Sequence, residues 1–379
     1  MDKVDRGQFL RMTGLGALGL AAVGPTAVAL APTPTSGAVT DVKTLGAVGD
    51  GIHDDTDAIQ AAIRDATQLV DAQNKAVGGC VFFPPGQYRV TQPLYIAGKR
   101  YLRMMGPGTI KAEGSASPVL SIGASSAALS HCIDISQLNF TTTDSGMEGI
   151  RMNGAVYVRV HECTFTGFKT SVNVMYHKHN HELYFLNNEI EAIEYQKDSV
   201  GISLASPDNV ISNNLIRGTC TGIFVGAHCQ SIAGNHIYRL PGILDHGIIL
   251  GGTPDTLAEG ILIQGNYFDN AAEGSVRIRA DLTNVAIQNN YFHCSIPKTG
   301  STTDGAPFIV FHKLDESTRV RLNCILVQGN MFRCLLRKII SQPIVFMDGI
   351  KQTDFKQTSV KGNTFFSAKP FGFESADFV

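Results

Sequence analysis

The chain has 379 residues, with 31 Lys and Arg against 33 Asp and Glu, so its formal charge is 31 − 33 = −2. At 44% hydrophobic residues it can bury a core, which excludes a disordered chain. The lack of a basic excess argues against a nucleic-acid binder, because nothing would displace counterions from phosphate.

Residues 1–31 read as an export signal. Lys3, Arg6 and Arg11 give a positive start, residues 12–31 are apolar without a charge, and the alanines at 27, 29 and 31 supply small-x-small cleavage sites. Residues 6–11 (RGQFLR) are similar to a twin-arginine signal with Gly7 replacing the second arginine, so a degenerate twin-arginine route and the general route are both open. The expectation is a secreted or periplasmic protein with no stable membrane association once the signal is removed; the apolar run is also long enough to stay as an anchor. Residues 32–40 (PTPTSGAVT) read as a linker and 41–379 as one domain.

Residues 54–72 predict a helix. Asp54, Asp55 and Thr56 suit its N-cap, and Ile59, Ala62, Ile63, Ala66 and Val70 form one apolar stripe. Residues 80–90 (CVFFPPGQYRV) then begin the strands.

Beyond them a pattern recurs: aliphatic, two residues, Asn, one residue, aromatic or aliphatic. Its fourth position falls at Asn188, Asn214, Asn235, Asn266, Asn290, Asn330 and Asn363, with weaker copies at Leu138 and Cys163. The spacing is mostly 21–26 residues, with longer exceptions that mark loop insertions. Such a unit is too short for paired helices and rich in β-branched residues. It fits one coil of a parallel β-helix, with the Asn taking the left-handed corner and stacking on its equivalents ~4.8 Å apart. The prediction is an all-β fold: a single-stranded right-handed parallel β-helix with an N-terminal capping α-helix that covers exposed sheet edges.

Residues 45–63 (LGAVGDGIHDDTDAIQAAI) closely resemble the opening block of the pectate-lyase-like superfamily, and residues 81–88 (VFFPPGQY) resemble its second block. That superfamily includes polygalacturonase-related glycosidases, phage tail-spike depolymerases and exopolysaccharide-processing proteins. These blocks concern fold and cap, so Asp50, Asp54 and Asp55 read as structural. The resemblance implies a substrate groove on the strands that follow each corner.

Those strands begin with Gly or a small residue: 149–153, 171–175, 201–204, 222–225, 247–250, 275–279, 307–311 and 343–347. Alternation points Arg151, Asn153, Asn173, Arg277 and Arg279 outward. Asp245 and His246 are similar to the Gly-His-Gly segment of polygalacturonases, and Arg277-Ile278-Arg279 to their Arg-Ile-Lys segment. The paired aspartates of that family are missing near residues 219–222. Hydrolysis needs two carboxylates, and Asp245 and Asp281 are the candidates, with His246 beside them. A lyase would need a base and cations instead, for which Arg151, His177, Arg277 and Lys313 are available. His177, His179 and His181 would share one face of an extended strand; a polar loop is the plainer reading, and no metal is expected. His312 and Lys313 lie in a 40-residue insertion that reads equally as a groove wall or as a charged loop.

The expected function is an exported carbohydrate-active enzyme cleaving or trimming an acidic polysaccharide, with hydrolysis slightly ahead of elimination. A non-catalytic polysaccharide-binding or assembly protein and a tail-spike-like receptor-binding module are the alternatives. The expected partner is an anionic polysaccharide, without nucleic acid or cofactor, and a homotrimer is among the expected assemblies.

Overall fold

The computed structural model describes residues 39–68, 78–123, 129–192, 196–238, 246–251, 258–279, 282–296, 306–311, 322–336, 344–346 and 355–367. The expected export signal, most of the linker, Asp245, Asp281, His312 and Lys313 lie outside these residues.

The repeat builds three parallel sheets, of 13, 12 and 10 strands among the described residues. One coil shows the path: Val200–Leu204 in sheet 3, Asn209–Ser212 in sheet 1, Leu215–Arg217 in sheet 2, then Thr221–Val225 back in sheet 3. Each strand pairs in register with its equivalent one coil away, so Ile202 lies beside Ile223 and Ile223 beside Ile248. Identical inward side chains therefore stack. Phe268, Phe292, Phe332 and Phe365 form a continuous column with centroids 4.9, 4.8 and 5.0 Å apart, close to the parallel strand spacing.

The corner between sheets 1 and 2 carries the sequence motif, but not with the geometry that the motif suggests. The left-handed residue is the one before the ladder Asn: Asn213 (φ 57°), Gly234 (67°), Gly265 (64°) and Asn289 (53°). The ladder Asn itself is buried and bonded. The Asn266 backbone N–H and side-chain amide both donate to Asn290 Oδ1, at 2.9 and 3.0 Å, and the Asn290 amide donates to Ile263 O and Asn330 Oδ1. The ladder begins where the Cys163 backbone N–H donates to Asn188 Oδ1 at 3.0 Å. The preceding position, Leu138, has no amide to extend it.

The helix α1 is Thr56–Ala66, shorter than the sequence suggests, with Ile59, Ala62, Ile63 and Ala66 fully buried. Its N-cap Asp55 makes no cap bond. It is itself buried, and its carboxylate accepts from the backbone N–H groups of Val48 and Gly49 at 2.7 and 3.0 Å. Asp54 accepts from the Thr56 N–H and hydroxyl, and Asp50 from the N–H groups of Ile52 and His53. All three aspartates thus bond the turns of the opening block.

Candidate functional site

The sheet 3 strands Glu148–Met152, Thr170–Val174, Val200–Leu204, Thr221–Val225, His246–Leu250 and Gly274–Ile278 have two consecutive inward positions. A Cβ added at Gly149, Gly201, Gly222 or Gly247 would run into Phe165, Ile216, Ile237 or Phe268 of sheet 2, so these positions point into the core. The next residue, such as Ile150 or Ile248, is buried too. This is why the strands begin with Gly or Ser. It also turns the residue before the glycine outward, so the outer face carries three rows along the coils.

The first row is Glu148, Thr170, Val200, Thr221, His246 and Gly274. The second runs Arg151, Asn173, Ser203, Phe224, Ile249, Arg277 and Val310. The third follows the strand ends and contains Asn153, Met175, Ala205, Gly226, Gly251 and Arg279, whose N–H groups bond to the coil before.

His246, Arg277 and Arg279 are brought together with Glu273, which the sequence reading missed. Arg277 reaches His246 Nε2 at 3.4 Å and the Glu273 carboxylate at 3.3 Å. The side chains of His246 and Arg277 are outward-pointing yet only 8% and 14% exposed. Burial first, then the charges of Arg277 and Arg279, push the His246 pKa down to about 3. Burial and the neighbouring Arg277 also lower the pKa of Arg279. The imidazole is therefore neutral over the ordinary pH range. Among the described residues Glu273 is the one carboxylate ion-paired to Arg277, and Arg279 has no ion pair.

Arg151, Asn153 and Asn173 share the outer face but not this cluster. Arg151 and Arg277 are five strand steps apart, or ~24 Å, and Arg151 is neutralised by Glu148 at 2.8 Å. His177 lies past the strand end in the connection to sheet 1, where its Nδ1 accepts from His179 N–H at 3.2 Å. The segment is a loop rather than an extended strand, and His181 turns to Glu182 at 3.3 Å. Asn180, buried and unforeseen, shapes this loop by accepting from the N–H groups of Gly154 and Ala155 and donating to the carbonyls of Met152 and Met175. Among the described residues no group of three His, Cys, Asp or Glu side chains is arranged to hold a metal.

Cys294 and Cys334 stand in register on neighbouring strands, with their buried side chains in contact. Cys220 bonds to Gln196 O, and Cys229 sits on an exposed left-handed corner.

Residues 39–240 match the rhamnogalacturonase A/epimerase, pectate lyase-like family. The chain belongs to this family. Among curated proteins, alginate lyase 7 of Azotobacter vinelandii is 57% identical over 51 residues, which is 14% of this chain and 5% of that protein. The matched part is thus a small fraction of the relative's length. Among solved structures, the A-module of the mannuronan C-5 epimerase AlgE4 of A. vinelandii shares 18% identity with a TM-score of 0.52, covering 86% of this chain and 95% of the module. The tailspike protein of E. coli bacteriophage HK620, solved with a pentasaccharide, shares 10% identity with a TM-score of 0.60, covering 87% of this chain and 66% of the tailspike. At these identities the likeness concerns the fold, and this pectate-lyase-like chain has the same parallel β-helix. No helix among its described residues is long and apolar enough to cross a membrane.

Proposed function

We propose that the chain is an exported protein that binds an acidic polysaccharide along the outer face of sheet 3 and cleaves or remodels it at a uronate unit. One observation carries this reading: two largely buried guanidiniums, Arg277 and Arg279, stand together with one carboxylate among the described residues, Glu273, paired to Arg277. Such a site carries an excess positive charge that a uronate carboxylate would neutralise, and a guanidinium offers it two parallel N–H groups. In the same reading α1 covers the first coil, the coils wind right-handed as parallel crossovers do, and the residues before Val39 direct export. The match to proteins named as an alginate lyase and mannuronan epimerases is in keeping with this class of substrate.

The arrangement favours proton abstraction next to the uronate carboxylate. His246, held neutral, takes the proton on a ring nitrogen, while Arg277 and Arg279 bear the negative charge that develops on the carboxylate. Expulsion of the neighbouring glycosidic oxygen gives elimination, and return of a proton to the opposite face gives epimerisation. An incoming carboxylate offsets the two cations that depress His246, so its basicity rises when substrate binds. The sequence placed hydrolysis slightly ahead; the grouping of His246 with the arginines reverses that order. Glu273 favours hydrolysis as a second reading, since it supplies one of the two carboxylates required.

Incubation with polygalacturonate, alginate and xylan tests the proposal. An unsaturated-uronate absorbance means elimination, altered uronate resonances without cleavage mean epimerisation, and reducing ends without the absorbance mean hydrolysis. Binding without any product leaves a polysaccharide-binding protein. Acidic chains held equally well by the R277A/R279A variant would sink the assigned site.

A further inference from the structure

Between Arg151 and Arg277 the second outward row contains no charge, and it includes one aromatic ring, Phe224. Phe224 leans over the strand end. A Cβ on Gly226 would lie 3.3 Å from its Cε1, so the missing side chain at 226 is what lets the ring lie down. Gly226 has an ordinary φ, so no backbone need explains the glycine. The neighbours of Gly226 in the third row are Ala205 and Gly251, which leave the surroundings of the ring low. Phe224 is only partly buried, and among the described residues it has no aromatic partner that would hide its face. A partly exposed aromatic ring on the outward row, between the polar Ser203 and the apolar Ile249, suits the apolar face of a sugar ring.

We infer that Phe224, laid over Gly226, is a stacking platform for an uncharged sugar unit about two strand steps, or ~10 Å, from Arg277. This rests on the reading of the outer face of sheet 3 as a polysaccharide site. It adds that the ligand joins charged to uncharged units, because a chain charged at every unit would lay carboxylates along a row that has no free cation before Arg277.

The chain contains no Trp, so F224W places a single fluorophore on the platform. The probes are oligosaccharides of gellan, which has one glucuronate among neutral sugars, and of polygalacturonate, which is charged throughout. Gellan fragments should shift the Trp emission. F224A should weaken their binding about tenfold; G226A, whose Cβ lifts the ring, should weaken it less, and F224Y should retain it. R277A/R279A should abolish binding of both probes. Unchanged gellan affinity in F224A and G226A, with binding lost in R277A/R279A, overturns the platform and leaves the arginine site standing. Tighter binding of polygalacturonate fragments with silent Trp emission overturns the uncharged unit. Failure of both probes to bind, or no effect of R277A/R279A, removes the arginine site and the platform together.

Discussion

At the residue scale, the cluster around Arg277 makes two predictions. Arg277→Met removes one of the cations that depress His246, so the His246 pKa should rise from about 3 while staying below its ordinary 6.5, because burial, the larger cause, remains. NMR titration of the imidazole reads this directly, and an unmoved pKa would contradict the contact. The second prediction concerns stability. The folded-state pKa of His246 lies below its unfolded value, so the unfolded chain binds the extra proton. The stability this residue contributes is present above pH 6.5 and is lost as pH falls from 6.5 towards 3. His246→Gln should flatten the pH dependence of unfolding in that window. Strand alternation made Arg277 and Arg279 legible as outward residues in the sequence. It could not place His246 beside Arg277, since strict alternation points position 246 inward. The doubled inward step at Gly247 and Ile248 reverses it, and only the Phe268 ring across the core shows why. Glu273 escaped notice because it reaches Arg277 through the turn at Gly274, whose φ of 140° a side chain rarely adopts.

At the element scale, the Asn ladder is the strongest local constraint. Asn290→Ala would leave the buried Asn266 N–H without its acceptor and take one partner each from the Asn266 amide, which keeps Ile232 O and Gln264 O, and from the Ile263 carbonyl. The expected loss is about 3 kcal/mol, from the cost of buried groups left without partners. Asn363→Ala, at the partly exposed end of the ladder, should cost about 1 kcal/mol on the same grounds. Chemical denaturation separates the two, and equal losses would mean that the ladder is not what holds these corners. The left-handed residue before the ladder makes a sharper comparison. Gly265 has open space around a Cβ, whereas a Cβ on Gly234 would collide with Asn213 Oδ1. Gly265→Asn should therefore cost less than Gly234→Asn, which must turn the Asn213 side chain aside. The coil and its period were legible because each Asn must meet its equivalent in the next coil, which forces the residue type to recur. Which residue of the corner carries the left-handed backbone was not, because Asn-Asn and Gly-Asn pairs allow either assignment by composition.

At the scale of the whole molecule, a stack of parallel coils repeats its contacts, and its first coil is the place where the repetition stops. An open sheet edge there would pair with another chain. The opening block answers this with few residues. The strand Val39–Asp41 pairs with Gly79–Phe82, and α1 buries Ile59, Ala62, Ile63 and Ala66 at the same end. A Cβ on Gly79 would strike the Ala66 carbonyl, so helix and strand approach as closely as backbones allow. A charge in this contact should therefore act beyond its own site. Ile63→Asp places a carboxylate where a fully buried side chain packs, at a cost of several kcal/mol, and, on the proposal that α1 caps the first coil, frees the sheet edge. The expected result is a lowered unfolding midpoint together with concentration-dependent oligomers in sedimentation. Asp57→Ala, on the exposed first turn of α1, should change neither. If Ile63→Asp lowers the midpoint while the protein sediments as the unaltered chain does, α1 contributes core packing alone. Protection of the edge would then fall to the strand Val39–Asp41, the outermost of the sheet among the described residues.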